Sequence, residues 1–508
     1  MPTLPGMLCT TARAHPDAPA ITFSGTTLNY RDYDAAVDRF AAELIDRGIE
    51  RGDRIVIVSG NSLGFAIATY AGLRAGAIVA PVNPKSAGEE IEHFITDTGA
   101  KALIFGPDCT ESVQSWAESH PDTAAPVSLL SLGPASIGTD ALTASESRER
   151  EEVEIGIAED DDALIIYTSG TTGKPKGALF DHHRILWVGV NTTVGMGLRM
   201  FDRILHVAPL YHSAALDLLF FPSAMLVAHQ IIHPGFAPNA TLADIEKHRI
   251  TVFFGVPTMY AFLLRSPNLE KTDTSSLRIA FYGAAPMPGS LAERLFAALP
   301  HTEIIQACGQ TEGGPGGVLL PHEDVRRKPA ASGRYPIPNT EVRVVDADGR
   351  DVEAGEIGEM IMRGETMMKG YWNRPEETAR TVVDGWVHTG DLAHVDEEGI
   401  LTIVDRLKDM IITGGHNVYS AEVENALAAY PDITDIAVVS RLDEDWGETI
   451  VAVVTPAEGR TPTLEGLREF AESRLSDYKI PRALIVDDIP RNPSGKIQKH
   501  ILRKKVRS

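Results

Sequence analysis

The sequence predicts an α/β fold that begins with a doubly wound parallel sheet and ends in a small α+β domain. Strand-like and helix-like segments alternate through residues 20–105, and such alternation is typical of parallel sheets with helices on both faces. The chain has 508 residues, too many for one compact core, so about two to four domains or subdomains are expected. Residues 409–508 follow with a glycine turn, a helix and a strand, the pattern of a small α+β domain.

Each element of the first segment has its own signal. A glycine turn between two short extended runs predicts a hairpin, helical spacing of apolar residues predicts the helices, and compact apolar runs predict the strands. The expected elements are a hairpin of residues 20–23 and 27–28, a helix over 30–48, a strand over 54–58, a helix over about 65–76 and a strand over 77–80. Residues 134–162, rich in small polar and charged residues, predict an exposed connection.

Composition limits the classes of function. With 47 basic and 70 acidic residues, the formal net charge is −23, so binding of nucleic acid or of an anionic membrane through an overall basic field is not expected. Three scattered cysteines, Cys9, Cys109 and Cys308, fit a reducing compartment and predict a cytoplasmic protein without a disulfide framework.

Secretion and integral membrane segments are not expected either. Residues 1–5 lack a basic region followed by an apolar one. The most apolar long segment, 204–232, is interrupted by two prolines, an aspartate and three histidines, which favours a buried core element. His182, His183 and His206 lack partner ligands at metal spacing, so we predict no zinc site.

Residues Gly60-Asn61-Ser62-Leu63-Gly64 match the Gly-x-Ser-x-Gly pattern of a hydrolase nucleophile elbow and lie between a predicted strand and a predicted helix. A catalytic triad also needs an acid and a histidine that the fold must supply. The structural alternative is that Asn61 and Ser62 cap the following helix. A serine hydrolase that uses Ser62 therefore stays open as a different class of function.

The most informative stretch is Tyr167-Thr168-Ser169-Gly170-Thr171-Thr172-Gly173-Lys174-Pro175-Lys176-Gly177, directly after the apolar run 163–166. The apolar run predicts a buried strand that delivers the loop. Glycines let the backbone approach a ligand, hydroxyls and successive N–H groups can donate to phosphate oxygens, and two lysines add charge. The spacing differs from that of a P-loop, so a Walker-type NTPase is not supported. A flexible surface turn is the alternative interpretation.

Further glycine-rich and polar segments follow this loop in a set order. They are Pro209-Leu210-Tyr211-His212, Tyr282-Gly283-Ala284-Ala285, Cys308-Gly309-Gln310-Thr311-Glu312, Gly385-Trp386-Val387-His388-Thr389-Gly390-Asp391, Asp405-Arg406-Leu407-Lys408, Gly414-Gly415 and Pro490-Arg491-Asn492-Pro493-Ser494-Gly495-Lys496. From about residue 10 to its end, the chain resembles the adenylate-forming superfamily, which includes acyl-CoA synthetases, peptide-synthetase adenylation domains and luciferases. The joint occurrence of these motifs in family order is far more specific than any one of them.

The resemblance implies a large N-terminal AMP-binding domain, residues 1–407, with a β-barrel-like subdomain, and a small mobile C-terminal domain, residues 408–508, that turns about Lys408. It implies an acyl-CoA synthetase: a carboxylate attacks the α-phosphorus of ATP in the presence of Mg²⁺, pyrophosphate leaves, and CoA takes the acyl group from the acyl-adenylate. The implied partners are a small carboxylic acid, ATP and CoA, and the resemblance also allows a homodimer.

The resemblance assigns the phosphates and the chemistry to one set of residues. Glu312 would hold Mg²⁺, Thr311 would contact the α-phosphate region, and the catalytic Lys496 would bridge the carboxylate, the α-phosphate and the ribose. His212 would lie near the carboxylate or gate the route from the acyl pocket to CoA. The implied phosphate-binding residues are Thr168, Ser169, Gly170, Thr171, Thr172, Gly173, Lys174 and Lys176.

A second set of residues would bind adenine, ribose, acyl group and CoA. For adenine and ribose these are Gly283, Ala284, Ala285, Cys308, Gly309, Asp391 and Arg406. For the acyl pocket they are Tyr211, His212, Phe254, Val256, Gly283, Gly309 and Gly314, and for the CoA tunnel Gly414 and Gly415. Cys308 replaces the family's adenine-stacking aromatic, a loss worth about 1 kcal/mol of ATP binding unless another side chain substitutes. His416 and Ser420 replace the commoner Glu and Pro.

The acid is expected to be a monocarboxylic acid with an apolar tail, medium- or long-chain aliphatic or aromatic. Residues 207–225, 252–264, 279–293 and 304–320 should line the pocket, and they contain no Lys or Arg. A second, buried carboxylate would need such a partner. Four glycines at 313, 314, 316 and 317 are expected to leave room for the tail.

Three alternatives stay open. The acceptor could be an amine or a carrier-protein thiol in trans, giving an amide ligase or a carrier loader. The chain could be the Ser62 hydrolase, which would cleave esters without ATP. It could also be a non-catalytic nucleotide-binding relative, although retention of Lys496, Glu312 and Asp391 argues against this.

Overall fold

The computed structural model describes residues 2–153, 155–168, 174–285, 287–491 and 497–507, and these fall into two compact units. Unit 1 comprises Met1–Gly170, Lys174–Glu341 and Met362–Val387, and unit 2 includes Val342–Ile361 and His388–Ser508. Unit 2 thus starts before residue 408. The boundary at 408 stays a prediction of where the hinge lies.

The strands are β1 (Pro19–Phe23), β2 (Thr26–Asn29), β3 (Arg54–Val58), β4 (Ile78–Val82), β5 (Ala102–Phe105), β6 (Ser128–Ser131), β7 (Thr139–Asp140), β8 (Asp162–Thr168), β9 (Lys176–Asp181), β10 (Arg203–His206), β11 (His229–Ile232), β12 (Val252–Gly255), β13 (Ile279–Tyr282), β14 (Glu303–Gly309), β15 (Gly317–Leu320), β16 (Tyr335–Pro336), β17 (Thr340–Val345), β18 (Gly358–Gly364), β19 (Gly370–Tyr371), β20 (Val382–Val383), β21 (Trp386–Val395), β22 (Leu401–Arg406), β23 (Ile411–Thr413), β24 (His416–Val418), β25 (Ile433–Asp443), β26 (Gly447–Pro456) and β27 (Ala483–Val486).

The α-helices are α1 (Leu4–Ala14), α2 (Tyr30–Asp46), α3 (Leu63–Arg74), α4 (Gly88–Thr98), α5 (Thr110–Ser119), α6 (Pro121–Ala124), α7 (Ala141–Glu146), α8 (His182–Met196), α9 (Ser213–Ala215), α10 (Phe221–Met225), α11 (Pro238–Lys247), α12 (Pro257–Arg265), α13 (Gly289–Ala298), α14 (His322–Arg327), α15 (Pro375–Thr381), α16 (Ser420–Leu427), α17 (Leu464–Glu472) and α18 (Lys499–Arg507). Short 3₁₀ turns include Thr311–Gly313, and a π-helical turn spans Leu216–Phe220.

Unit 1 contains an eight-stranded sheet with the order β19-β9-β8-β4-β3-β5-β6-β7. The strands from β8 to β7 in this order are parallel, whereas β9 and β19 add an antiparallel edge. In β3, Ile55 and Ile57 join one apolar cluster while Val56 and Val58 join another. Alternate residues therefore bury both faces of the sheet, as the doubly wound prediction requires.

The second sheet of unit 1 has nine strands in the order β16-β15-β14-β13-β12-β10-β11-β1-β2. Its six central strands, β14 to β1, are parallel, and antiparallel strands close both ends. The predicted hairpin of residues 20–28 is confirmed as β1 and β2. The predicted helices and strands between residues 30 and 82 are confirmed as α2, β3, α3 and β4 within a few residues.

Most described residues of the connection 134–162 are exposed or half-buried, as predicted. It contains α7, whose Ala141 is fully buried. Arg150 reaches α2, where its guanidinium pairs with Asp34 at 2.6 Å and Asp38 at 2.9 Å. Arg74 pairs with the same two buried carboxylates. The exposed Arg150 and the buried Arg74 thus share the two carboxylates, and this pairing compensates the buried negative charges of α2.

Residues 340–406, where the resemblance implies a β-barrel-like subdomain, contain a five-stranded sheet with the order β17-β18-β21-β20 and with β22 beside β21.

Unit 2 ends in an α+β fold, as predicted. Its sheet has the order β24-β23-β26-β25, with β27 parallel to β26. Along β25, Ile436 and Val438 pack in one core cluster, while Ala437 and Val439 pack in a second cluster with Leu502 of α18. The helix after the catalytic-lysine motif is thus held by the opposite face of the sheet from α16 and α17.

Candidate active site

The predicted phosphate loop joins two antiparallel strands of unit 1. β8 carries Thr168 at its end, β9 starts at Lys176, and these two residues are register partners. Lys174 is exposed. Residues 169–173, which include the predicted Ser169, Gly170, Thr171, Thr172 and Gly173, lie outside the described residues.

Helix α4 holds both ends of this loop. The Tyr167 hydroxyl donates to Asp97 Oδ2 at 2.9 Å on the incoming side, and His93 Nε2 lies 2.9 Å from the Pro175 carbonyl oxygen on the outgoing side. The other carboxylate oxygen of Asp97 accepts from Arg374 at 2.6 Å. The loop ends are therefore fixed by side chains far away in sequence.

Lys176 does not point freely into solvent. Its ammonium pairs with Glu377 and lies 5.3 Å from the centre of the Tyr371 ring. The Tyr371 hydroxyl donates to Glu312 Oε1 at 2.7 Å. The structure thus links a predicted phosphate-binding lysine to the predicted magnesium-binding carboxylate through two residues that carried no sequence signal, Tyr371 and Glu377.

Thr311 lies beside the segment that carries His212. The Thr311 hydroxyl is 3.0 Å from the Ser213 hydroxyl, and Ser213 follows His212 at the start of α9. Burial lowers the pKa of His212 to about 4, so the imidazole is neutral at pH 7. Burial also raises the pKa of the adjacent Tyr211 to about 12. The segment predicted to bind the acyl group and the residue predicted to contact the α-phosphate are therefore neighbours.

The motif around Ser62 has a structural role in this arrangement. The Ser62 hydroxyl oxygen accepts from the Phe65 N–H at 2.9 Å and caps α3. Asn61, predicted as a second cap, instead donates to the Ala208 carbonyl oxygen at 2.9 Å and accepts from the Leu210 N–H at 2.8 Å. The prediction of an Asn61 cap was wrong because the buried amide matches both groups of a neighbouring extended backbone.

One buried acid in the acyl-binding segment was not foreseen. Asp217 lies in the π-helical turn and is fully buried, and neither carboxyl oxygen has a hydrogen-bond partner among the described residues. Burial raises the pKa of Asp217 well above its usual range, because an apolar environment disfavours the ionised carboxylate. The only sequence signal was an aspartate within an apolar run.

The predicted adenine segment follows β13. Ala284 has φ +66°, a left-handed backbone conformation that costs an alanine about 1–2 kcal/mol, and such strain is concentrated at ligand-binding sites. Ala284 and Ala285 are exposed. A Cβ on Gly283 would lie 2.6 Å from the Ala307 carbonyl oxygen, so glycine is required for packing. Cys308 lies on β14.

The expectation that the glycines after Glu312 leave room for a tail was wrong. A Cβ on Gly313 would lie 2.7 Å from Met362 Sδ, and a Cβ on Gly314 would lie 2.0 Å from the Thr366 carbonyl oxygen. Gly309 is equally confined, with the Gly316 carbonyl oxygen at 2.1 Å. Protein atoms fill the space beside these residues, so they permit close packing of backbone. Among the remaining predicted pocket residues, Phe254 is buried near the end of β12 and Val256 occupies the position just before α12.

In unit 2, the two predicted ribose-binding residues are neighbours. β21 and β22 place Asp391 opposite Arg406, and Arg406 Nε lies 2.7 Å from Asp391 Oδ1. Arg503 of α18 donates to the Lys408 carbonyl oxygen at 3.1 Å and pairs with Asp409. The predicted hinge is therefore tied to the helix that follows Lys496. Lys496 itself lies outside the described residues.

The predicted CoA-tunnel glycines form the turn between β23 and β24. Gly414 and Gly415 have φ +57° and +80°. A Cβ on Gly414 would lie 2.8 Å from the Trp446 ring. The unusual Ser420 donates to Asp405 Oδ2 at 2.7 Å and accepts from Lys499 at 2.7 Å, so this departure from the family pattern has a structural partner.

Comparisons with known proteins identify the family. The model of the AMP-binding enzyme family matches residues 8–372, and the model of its C-terminal domain matches residues 422–496. The chain belongs to the AMP-binding enzyme family. The resemblance to adenylate-forming acyl-CoA synthetases is confirmed.

Named relatives and solved structures match this AMP-binding enzyme over nearly their whole lengths. Feruloyl-CoA synthase of Amycolatopsis sp is 37% identical over 97% of both chains. Long-chain-fatty-acid–CoA ligase FadD13 of Mycobacterium tuberculosis is 35% identical over 94% of this chain and 92% of its own. The crystal structure of ATP-bound MatB from Rhodopseudomonas palustris is 30% identical, covers 100% of this chain and 99% of its own, and gives a TM-score of 0.90. ATP-dependent acid–CoA ligation through an acyl-adenylate is thereby confirmed at the level of the family.

Glu312 fits a Mg²⁺ site only if a nucleotide supplies further oxygen ligands to the ion. Among the described residues, no cluster of three or more His, Cys, Asp or Glu could hold a metal. Glu312 offers one carboxylate, and Mg²⁺ bound with nucleotides commonly takes one or two carboxylates together with phosphate and water oxygens.

Within the part of the chain that the structure describes, no helix is long and apolar enough to cross a membrane.

Proposed function

We propose that this AMP-binding enzyme joins a monocarboxylic acid with an apolar tail, either an aryl acid or a medium- or long-chain fatty acid, to CoA. The observation that carries the proposal is the meeting of two motifs in unit 1, where the Ser213 hydroxyl beside His212 lies 3.0 Å from Thr311. A carboxylate held beside the neutral His212 would face the phosphate group that Thr311 contacts. The names of the two relatives, a feruloyl-CoA synthase and a long-chain-fatty-acid ligase, agree with an acid of this kind.

The first step is attack of the acid's carboxylate oxygen on the α-phosphorus of ATP. A bond forms between these atoms, the bond from the α-phosphorus to the bridging oxygen breaks, and pyrophosphate leaves with the electron pair. Two anions must approach and charge builds on phosphorus, so positioned cations and donors supply the catalysis. Lys496 would bridge carboxylate and α-phosphate, while Lys174 and the hydroxyl loop would hold the pyrophosphate end.

Glu312 would hold Mg²⁺ together with the phosphates of ATP, and the bound ion would offset the negative charge on the phosphate oxygens. Asp391 and Arg406 would bind the ribose. In the second step the CoA thiolate attacks the acyl carbonyl and AMP leaves. Before this step the C-terminal domain would rotate about Lys408, and the glycine turn at 414–415 would then line the path of the thiol. Such domain steps commonly limit turnover.

The acyl pocket would be formed by Tyr211, His212, Phe254 and Val256. No Lys or Arg occurs in the lining segments 207–225, 252–264, 279–293 and 304–320, and burial raises the pKa of Asp217 and so disfavours its ionised form. This environment disfavours a second carboxylate on the substrate.

A cytoplasmic location fits the three scattered cysteines.

The test is pyrophosphate release with ATP and Mg²⁺ against a panel of aryl acids, fatty acids and dicarboxylates, with and without CoA. We expect release with an aryl or fatty acid that needs CoA for sustained turnover, and a fall of about 10²- to 10³-fold in Lys496→Ala, the usual effect of removing a group that stabilises developing charge. Equal turnover of a dicarboxylate and its monocarboxylic analogue would overturn the substrate proposal. Sustained release with an amine in place of CoA would reassign the acceptor.

A further inference from the structure

A short chain of contacts connects the phosphate loop with Glu312. It starts at Lys176, the first residue of β9, whose ammonium pairs with Glu377 and faces the Tyr371 ring at 5.3 Å. It ends where the Tyr371 hydroxyl donates to Glu312 Oε1 at 2.7 Å. Tyr371 therefore touches both a predicted phosphate ligand and the predicted metal ligand.

Backbone contacts fix Tyr371 in this place. Tyr371 pairs with Ala178 of β9 through β19, and the next residue, Trp372, donates its N–H to the Gly177 carbonyl oxygen at 2.7 Å. On the other side, the Met368 N–H donates to the Glu312 carbonyl oxygen at 2.9 Å. The short segment 368–372 thus bridges the strand after the phosphate loop and the turn that carries Glu312.

The direction of the hydrogen bond follows from the charges. An ionised carboxylate has no proton to donate, so the Tyr371 hydroxyl is the donor to Glu312. It engages Oε1 of Glu312. Carboxylates that bind metals are typically held in this way, and loss of the supporting group weakens metal binding by about 10- to 100-fold.

We propose that Tyr371 is a positioning residue that holds the Glu312 carboxylate in the orientation that binds nucleotide-bound Mg²⁺, and that the Lys176–Glu377 pair supports the Tyr371 ring. This inference rests on the proposed role of Glu312. It assigns a role to the segment 368–377, which the sequence motifs left without one.

The test is the contribution of Mg²⁺ to ATP binding, measured by titration calorimetry on the full chain without acid or CoA. ATP affinity is determined with Mg²⁺ and again in EDTA, and the ratio of the two dissociation constants is the metal factor. In Tyr371→Phe we expect the metal factor to fall about 10-fold while ATP affinity in EDTA stays as in the wild type. A residue that only stabilised the fold would change both affinities alike.

A matched control exists in unit 2, where the Tyr430 hydroxyl also donates to a carboxylate, that of Asp432, at 3.2 Å. Tyr430→Phe should leave the metal factor unchanged. Glu377→Gln removes the charge that holds Lys176 without altering Tyr371, and the metal factor should fall in the same direction but by less than in Tyr371→Phe. This second variant decides the matter if Tyr371→Phe does not fold.

An unchanged metal factor in Tyr371→Phe, equal weakening with and without Mg²⁺, or a wild-type protein without a metal factor would each overturn the inference. These outcomes are separable from the proposed function. Acid-dependent pyrophosphate release in the wild type would uphold that function even if the metal factor did not respond to Tyr371. Conversely, a responsive metal factor without acid-dependent release would uphold the inference and reject the ligase.

Discussion

Replacing Asn61 by leucine should loosen the segment that carries His212. The Asn61 side chain is buried and makes two hydrogen bonds, to the Ala208 carbonyl oxygen at 2.9 Å and from the Leu210 N–H at 2.8 Å. Leucine has a similar volume but satisfies neither group. Each buried polar group left without a partner costs about 1–3 kcal/mol, so the expected loss for the two groups is about 2–6 kcal/mol.

Hydrogen exchange of the peptide that contains Leu210 measures this loss directly, because that N–H is the donor to Asn61. Each 1.4 kcal/mol corresponds to a factor of about ten in an opening equilibrium, so a cost near 3 kcal/mol predicts exchange about 100-fold faster. Acid-dependent pyrophosphate release should fall with it, since His212 and Ser213 follow directly. Ser62→Ala is the control: it removes a helix cap worth about 1 kcal/mol and should keep the ATP-dependent activity. Unchanged exchange at Leu210 in Asn61→Leu would refute this reasoning.

Three further predictions concern His212, Asp217 and Gly309. Burial lowers the pKa of His212 to about 4, so the stability contributed by its neutral form is complete above the ordinary pKa of about 6.5 and is lost as the pH falls towards 4. In thermal unfolding, His212→Gln should therefore lose less stability than the wild type between pH 6.5 and 5. Parallel curves of stability against pH for the two proteins would contradict this. Burial raises the pKa of Asp217, so the stability contributed by its protonated form is complete below the ordinary pKa of about 3.9 and is lost as the pH rises above that value, by up to about 1.4 kcal/mol per pH unit. Asp217→Asn should therefore gain stability over the wild type as the pH rises, and a constant difference between the two proteins would count against a raised pKa. Gly309→Ala would place a Cβ 2.1 Å from the Gly316 carbonyl oxygen and should lower the stability measured by thermal unfolding by about 1–3 kcal/mol. Gly156→Ala is the control and should leave stability unchanged, because its Cβ would have no other atom within 4 Å. Equal melting temperatures of the two variants would contradict the packing argument.

The elements that the sequence predicted well are those with strong local signals. The apolar run 54–58 forms β3, and the run 163–166 forms the buried part of β8 that delivers the phosphate loop. The glycine turn at 414–415 lies between two short strands as expected. In each case the hydrophobic pattern or the turn residue acts within a few positions, so a single sequence suffices.

The parts that could not be predicted depend on contacts between distant residues. Asn61 meets the Ala208 backbone across 147 positions, and Tyr371 meets Glu312 across 59. β19, only two residues long, has no periodicity of its own and exists because it pairs with β9. An asparagine before a serine looks like a cap, and only the fold decides which backbone groups it satisfies.

The glycines near Glu312 illustrate the same limit. Glycine in a sequence is consistent with open space for a ligand and also with close approach of another backbone. Gly314 is explained by close approach of another backbone, because a Cβ on Gly314 would collide with the Thr366 carbonyl oxygen. The raised pKa of Asp217 arises in the same way, because it is buried by neighbours that its local sequence does not specify.

The measurement that tests the ligase most directly is mass-spectrometric detection of the acyl-adenylate in a single turnover. Enzyme in excess is mixed with ATP, Mg²⁺ and an aryl or fatty acid without CoA, and CoA is added afterwards. We predict an acyl-adenylate formed together with an equal amount of pyrophosphate, followed by conversion to acyl-CoA and AMP when CoA arrives. Hydrolysis of ATP to ADP and phosphate, or the absence of an adenylate with every acid in a protein that binds ATP, would contradict the account.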